Sequence, residues 1–210
     1  FALWIGIGVL CWNFLSGGIL SGMNALVSNS GLLTKVYFPR QVLVYSAVLA
    51  LAVDFSFELF VLIIIAMAMG GLGVLLMIPS LILVTVLAAM FSAGLALILS
   101  IATVYFRDIA HLWQVWMYAS GVVFSLSMLD DVQNRLFDMG WQINGHPIPI
   151  TTVFRLNPAE IFLEAYRACL YDFAFPSLPV MSACALWGFI MFAVGMIFFQ
   201  RHSARIVEEL

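Results

Sequence analysis

The sequence predicts an all-α integral membrane protein, a polytopic helical bundle, on three observations. Of its 210 residues, 64% are hydrophobic and only 9% are charged, and mean hydropathy is +1.11. The apolar residues gather into runs of membrane-crossing length. Short polar segments carrying basic and aromatic residues separate those runs. A soluble domain of this size has no use for so much apolar surface and would aggregate. A run of about 18 or more apolar residues reads as a span, because in hydrocarbon a helix satisfies its own backbone.

Spans are expected at about 1–21, 42–69, 74–101, 113–129 and 180–199, within a single transmembrane domain. The second and third are joined by Met69-Gly-Gly-Leu-Gly73, where glycine supplies the backbone freedom of a tight turn. Basic residues set the orientation. Lys35, Arg40, Arg107, Arg201 and Arg205 fall on one side; Arg135, Arg155 and Arg167 fall on the other, among several acids. That bias places 22–41, 102–112 and the tail 200–210 in the cytoplasm. The chain opens at Phe1 inside an apolar run without a charged leader, so a preceding stretch with one further span is expected.

Residues 130–179 form an outer region of a different kind. Asp130 to Pro149 is polar, with Asn144-Gly145 as a hairpin signal. Further on, Asn157 is placed to cap a helix, Pro158 to occupy its first position and Glu160 to complete a capping box. The helix that follows, over about 158–171, would be roughly 20 Å long and too short to cross a core of about 30 Å. Behind the apolar stretch 150–156, it is expected to be re-entrant from the outer side; an interfacial helix lying flat is the alternative.

The sequence excludes several chemistries. It contains no GxxxxGK[ST] and only one lysine, so it has no P-loop for ATP. HExxH and GxSxG are absent. The histidines His111, His146 and His202 are scattered, and Cys11, Cys169 and Cys184 sit in apolar settings without metal spacing. No catalytic residue, metal site or cofactor is predicted in this chain, and nothing points to nucleic acid.

Polar residues inside spans are the candidate path. Asp54 and Glu58 lie midway along the second span, on one stripe with Ala47 and Ala50. Acids at that depth face water or a bundle interior. They read either as a polar path or gate or as structural bonds to a neighbouring helix. The fourth span shows Gln114, Tyr118, Gly121 and Ser125 on one face, and the first shows Asn13 and Gly17. These line a wet channel or bond between helices. Ser92, Ala96 and Ser100 read as a packing seam. Trp4, Trp12, Phe14, Trp113 and Trp116 belong to interfacial belts or stack against sugar rings.

Three segments together resemble the permease subunits of type-2 ABC exporters for lipid-linked polysaccharides, the family of O-antigen, teichoic-acid and mycobacterial galactan exporters. They are Leu33-Thr-Lys-Val-Tyr-Phe-Pro-Arg40, Ser100 through Val-Tyr-Phe-Arg-Asp-Ile109, and Asn157-Pro-Ala-Glu160 with Glu164-Ala-Tyr-Arg167. Their order and intervals fit along nearly the whole chain, and the overall sequence is most like the actinobacterial galactan branch. The resemblance implies a six-span subunit in a bacterial cytoplasmic membrane, a homodimer enclosing a channel, and a separate ATPase that holds ATP and Mg. It implies that Asn24, Lys35, Tyr37, Phe38, Arg40, Arg107 and Asp108 couple to the ATPase. Trp12, Asn13, Phe14, Asp54, Glu58, Trp113, Gln114, Trp116 and Tyr118 would lie along the path. Asn157, Pro158, Glu160, Glu164, Tyr166 and Arg167 would belong to an outer gate. Arg40 or Arg107 would receive the lipid phosphate, as a guanidinium fork suits it, or simply anchor the positive side. The segment 122–128 departs from the family in lacking a proline-tyrosine pattern, and 130–149 is longer than is typical.

Two other classes fit parts of the sequence. A proton-coupled secondary transporter would use Asp54 and Glu58 and need no ATPase. A membrane-embedded glycosyl- or acyltransferase would need Asp130, Asp131 or His146 to be essential.

Overall fold

A computed structural model describes residues 2–33, 39–119, 133–137, 142–143, 146–147 and 157–203. Its helices are α1 (Ala2–Ser28), α2 (Ser30–Leu33), α3 (Gln41–Gly70), α4 (Ile78–Tyr105), α5 (Ile109–Ala119), α6 (Pro158–Leu170) and α7 (Leu178–His202). A 3-10 stretch, Gly71–Met77, joins α3 to α4. The protein is an all-α polytopic bundle. Four helices among the described residues are long and apolar enough to cross a membrane: Ala2–Ser28, Gln41–Gly70, Gly73–Tyr105 and Leu178–His202. Of the expected 113–129 segment, the described part lies in α5, which begins four residues earlier, at Ile109.

Local chemistry sets the helix ends. Proline occupies the first turn of α4, α6 and α7, where its missing N–H costs nothing. After α3, Gly71 takes φ 74°, a conformation an L side chain resists, and the chain reverses there. α1 runs to Ser28, seven residues past the expected limit. Its polar end stays helical because the Asn24 and Asn29 amides donate to the carbonyls of Leu20 (2.9 Å) and Ala25 (2.8 Å), one turn back. The segment read as cytoplasmic coupling thus begins as a continuation of the first span. Farther on, Gln142–Ile143 pairs antiparallel with His146–Pro147. The hairpin signal read at Asn144-Gly145 lies outside the described residues.

Close contacts fix helix directions. Gly18 abuts Ser92 and Gly22 abuts Ala96, so α1 and α4 run parallel. Gly188 meets Leu87 and Gly195 meets Gly94, so α7 runs parallel to α4 as well. Gly17 meets Leu51, Gly22 meets Val48, and Phe14 stacks on Phe55 at 4.5 Å, so α3 runs the other way. One end of the bundle therefore gathers Arg40, Arg107 and Arg201. Because α4 and α7 are parallel, the chain between them has to return across the bundle, and α5 starts that return at the basic end.

The core has two parts. A small cluster at the basic end holds Leu26, Val44, Val48, Ala96, Leu97, Ile101 and Phe199. The larger one fills the rest and takes in most of α6. The seam read at Ser92 and Ala96 is a real contact, made with α1. Outward faces of α3 and α7 are apolar and exposed, including Phe57, Phe60, Phe189 and Ile197. Such a surface belongs in lipid or against another protein. The three cysteines are free and buried.

Candidate functional site

The site is built around α6. Its Asn157 Oδ1 accepts a hydrogen bond from the Ala159 N–H at 3.1 Å, so the expected cap forms. Phe162 meets Phe91 with ring centroids 5.5 Å apart, and Phe91 stands midway along the 28 residues of α4. Farther along, the Tyr166 hydroxyl donates to Thr85 Oγ1 at 3.0 Å, and Cys169 Sγ lies 3.2 Å from Ser80 Oγ near the start of α4. As α6 advances, its α4 partners recede. The helix therefore begins near mid-depth and emerges at the end opposite the basic one. Its 13 residues reach about 20 Å. Nine of them are buried, among spans α1, α4 and α7. A helix lying flat on the membrane surface would not be enclosed in this way.

Glu160 and Arg167 are both buried on this helix, two turns apart on one face. Arg167 Nη1 lies 3.5 Å from Glu160 Oε1. The carboxylate thus turns to the cation rather than closing the expected capping box. The reason is energetic: a buried charge without a partner costs several kcal/mol, more than a capping bond returns. The Arg167 guanidinium also lies over the Trp4 ring, 3.6 Å from its centroid. Gly8, one turn beyond Trp4, makes room for it; a Cβ there would sit 3.1 Å from Nη2. Arg167 Nε and Nη2 are buried without a hydrogen-bond partner. Glu164, by contrast, is exposed.

Sequence reasoning took Trp4 for an interfacial or sugar-stacking ring and missed Gly8 and Thr85. Trp4 and Gly8 are four apart on one face of α1, but nothing in the chain reports that Arg167 lies against them.

The expected coupling residues gather at the basic end where they are described. Arg40 Nη1 donates to the Ser203 carbonyl, joining the start of α3 to the end of α7. A cation suits a helix C-terminus, whose last carbonyls lack partners. Arg107 and Asp108 are exposed in the turn between α4 and α5. Lys35, Tyr37 and Phe38 lie outside the described residues.

The expected path residues separate. Trp12 and Phe14 are core residues instead, 9% and 3% exposed, because α1 is packed on both flanks by α3 and α4. Asn13, Asp54, Glu58, Gln114 and Trp116 are exposed on the outer surface of the single chain, and Trp113 is half-buried. The Tyr118 side chain is outside the described residues. Among the described residues these groups do not enclose a channel within one copy.

Four membrane-length helices with a short buried helix packed among them define the class: a multi-pass, all-α membrane protein. No protein-family model matches the chain. It is similar to the O-antigen export system permease protein RfbA of Myxococcus xanthus, at 27% identity over 97% of this chain and 74% of that protein. The likeness bears out the resemblance to type-2 ABC exporter permeases that the three motif segments carry.

Proposed function

We propose that this chain is the channel-forming permease subunit of an ATP-driven exporter of polysaccharide, working as a pair with a separate ATPase in the cytoplasmic membrane. The observation that carries this reading is α6, a helix wedged at half-depth at the end opposite the basic residues. Such an element fits a gate on the exit side. The basic end then faces the cytoplasm, where the segments around Arg40 and Arg107 meet the ATPase. That the Myxococcus relative is an O-antigen export permease supports polysaccharide as cargo. We further propose that the glycan is lipid-linked, with galactan the branch the sequence resembles most.

Isolating the full-length protein from its native membrane tests the reading. A P-loop ATPase is expected to co-purify in stoichiometric amount and to hydrolyse ATP. A stable, transport-competent protein with no ATPase partner would sink it.

The positions of two acids support a path between copies. Asp54 and Glu58 sit on an exposed face of a span, flanked by exposed Val53 and Phe57. Carboxylates facing lipid at that depth are expensive. That face therefore borders a wet path between two copies. The double variant Asp54→Asn, Glu58→Gln is expected to fold normally yet lose export roughly tenfold, equivalent to about 1.4 kcal/mol on the transport barrier. Unchanged export in reconstituted vesicles would make both acids structural.

A further inference from the structure

We propose that the contact between the Phe173 ring and Gly70 is the point at which α3 moves α6. The inference rests on the reading of α6 as an exit-side gate and of the basic end as the ATPase side. It adds the mechanical link between them.

The two residues reverse what their backbones favour. Phe173 lies in the turn after α6 with φ 52°, a left-handed conformation where glycine is the ordinary residue and an aromatic one is strained. Among the described residues it is the only one besides glycine with a positive φ. Gly70 ends α3 with φ −107° and ψ 0°, close to a turn conformation open to most residues. Backbone geometry therefore explains neither choice, and contact explains both. A Cβ at Gly70 would sit 2.5 Å from Cε1 and Cζ of Phe173, so the ring lies directly on the bare end of α3.

The contact is stiff on both sides. The Tyr171 and Asp172 N–H groups donate to the Arg167 carbonyl at 2.8 and 3.1 Å, and the Ala174 N–H donates to the Ala168 carbonyl at 3.0 Å. These bonds close the turn around Phe173 and fix where its ring emerges. On the other side the ring meets backbone rather than a flexible side chain. Strain of this kind persists only where the surrounding structure imposes it.

α3 is suited to act as a rod. Its thirty residues rise about 45 Å, with no proline and no glycine before Gly70 to bend it. At its start, Arg40 is bonded to the Ser203 carbonyl at the basic end. Midway, Phe55 meets Tyr166 of α6 edge-on, with centroids 5.6 Å apart. Tyr166 is itself tied to α4 through Thr85. A tilt of α3 driven from the basic end is therefore delivered at Phe173, beyond that anchor, and turns α6 about it.

Pulsed EPR on the full-length protein with its co-purified ATPase tests the link. Nitroxides are attached at Glu164→Cys on α6 and Ile82→Cys on α4, both exposed, while the three native cysteines are buried. Labelled copies are diluted with unlabelled ones, so that distances within one copy are read. With the contact intact, ATP is expected to shift this distance by about 1–5 Å, the range of helix shifts in switching proteins. Gly70→Ala displaces the ring, and Phe173→Gly removes it; each is expected to abolish the shift while ATP hydrolysis continues. Phe173→Gly is also expected to melt close to the unmodified protein, because glycine takes φ 52° freely. A full shift in either variant overturns the link and leaves the gate reading standing. A Phe173→Gly protein that loses the shift only by losing its melting point and its hydrolysis makes the contact structural, which also overturns the link. No shift in the protein with the contact intact, while it hydrolyses ATP, overturns the gate reading and the link with it.

Discussion

Gly195→Ala is expected to abolish the folded protein in detergent. A Cβ at Gly195 would sit 2.1 Å from the Gly94 carbonyl oxygen and 2.7 Å from Gly94 Cα. At Gly94 it would sit 2.2 Å from the Met191 oxygen. These neighbours are backbone atoms in the middle of rigid helices, so no side chain can swing away. The helices themselves would have to part. In lipid their association rests on close packing, since apolar groups gain little by leaving an apolar solvent. Overpacking costs about 1–3 kcal/mol when side chains yield, and backbone against backbone exceeds that. Gly94→Ala should fail in the same way, and Gly188→Ala, at 2.9 Å from the Leu87 oxygen, less severely. Gly6 provides the control, because nothing lies within 4 Å of a Cβ there. Gly6→Ala should match or slightly exceed the unmodified protein, as alanine favours helix. Thermal melts followed by size-exclusion chromatography read all four. A Gly195→Ala variant that melts with the unmodified protein would refute the seam.

The contrast shows what the sequence could reveal. Long apolar runs gave away the helices because a bilayer permits one backbone solution for each such run. The start of α6 was equally legible: Asn157 and Pro158 act through local geometry. Partner choice was not. Gly188 and Gly195 stand seven apart on one face, but the chain does not say that they meet Leu87 and Gly94 rather than lipid. Hydropathy likewise cannot separate a lipid-facing aromatic from a buried one, since both surroundings are apolar, and it did not report that Trp12 and Phe14 are buried. The end of α1 escaped because asparagine and serine read as loop residues. There the Asn24 and Asn29 amides bond back onto their own helix and continue it.

Arg167→Ala is the second large effect expected. The substitution removes the cation 3.5 Å from Glu160 and leaves an acid that is 5% exposed without a partner. Breaking a buried pair from one side costs about 3–5 kcal/mol. Loss of the contact with Trp4 adds to this, by about 0.5–2 kcal/mol. Glu160→Gln should cost less, because the amide oxygen still accepts from the guanidinium and Asn157 still caps the helix. Arg167→Lys should not rescue, since an ammonium lacks the planar fork that lies over the Trp4 ring. The decisive variant is the apolar pair Arg167→Met with Glu160→Leu. It removes both charges together and also the two orphaned nitrogens of Arg167. Its melting point is expected to return to near that of the unmodified protein, because a buried ion pair is often no more stable than hydrophobic residues of similar volume. If Arg167→Ala alone melts normally, the pair does not hold α6 in place. If the apolar pair is as unstable as Arg167→Ala, the loss comes from packing against Trp4 rather than from charge. A stable apolar pair, placed in vesicles with its ATPase, then separates holding from gating. Export near the normal rate would make the ion pair a structural clasp; folded protein that no longer exports would make it the element that α6 must break to open.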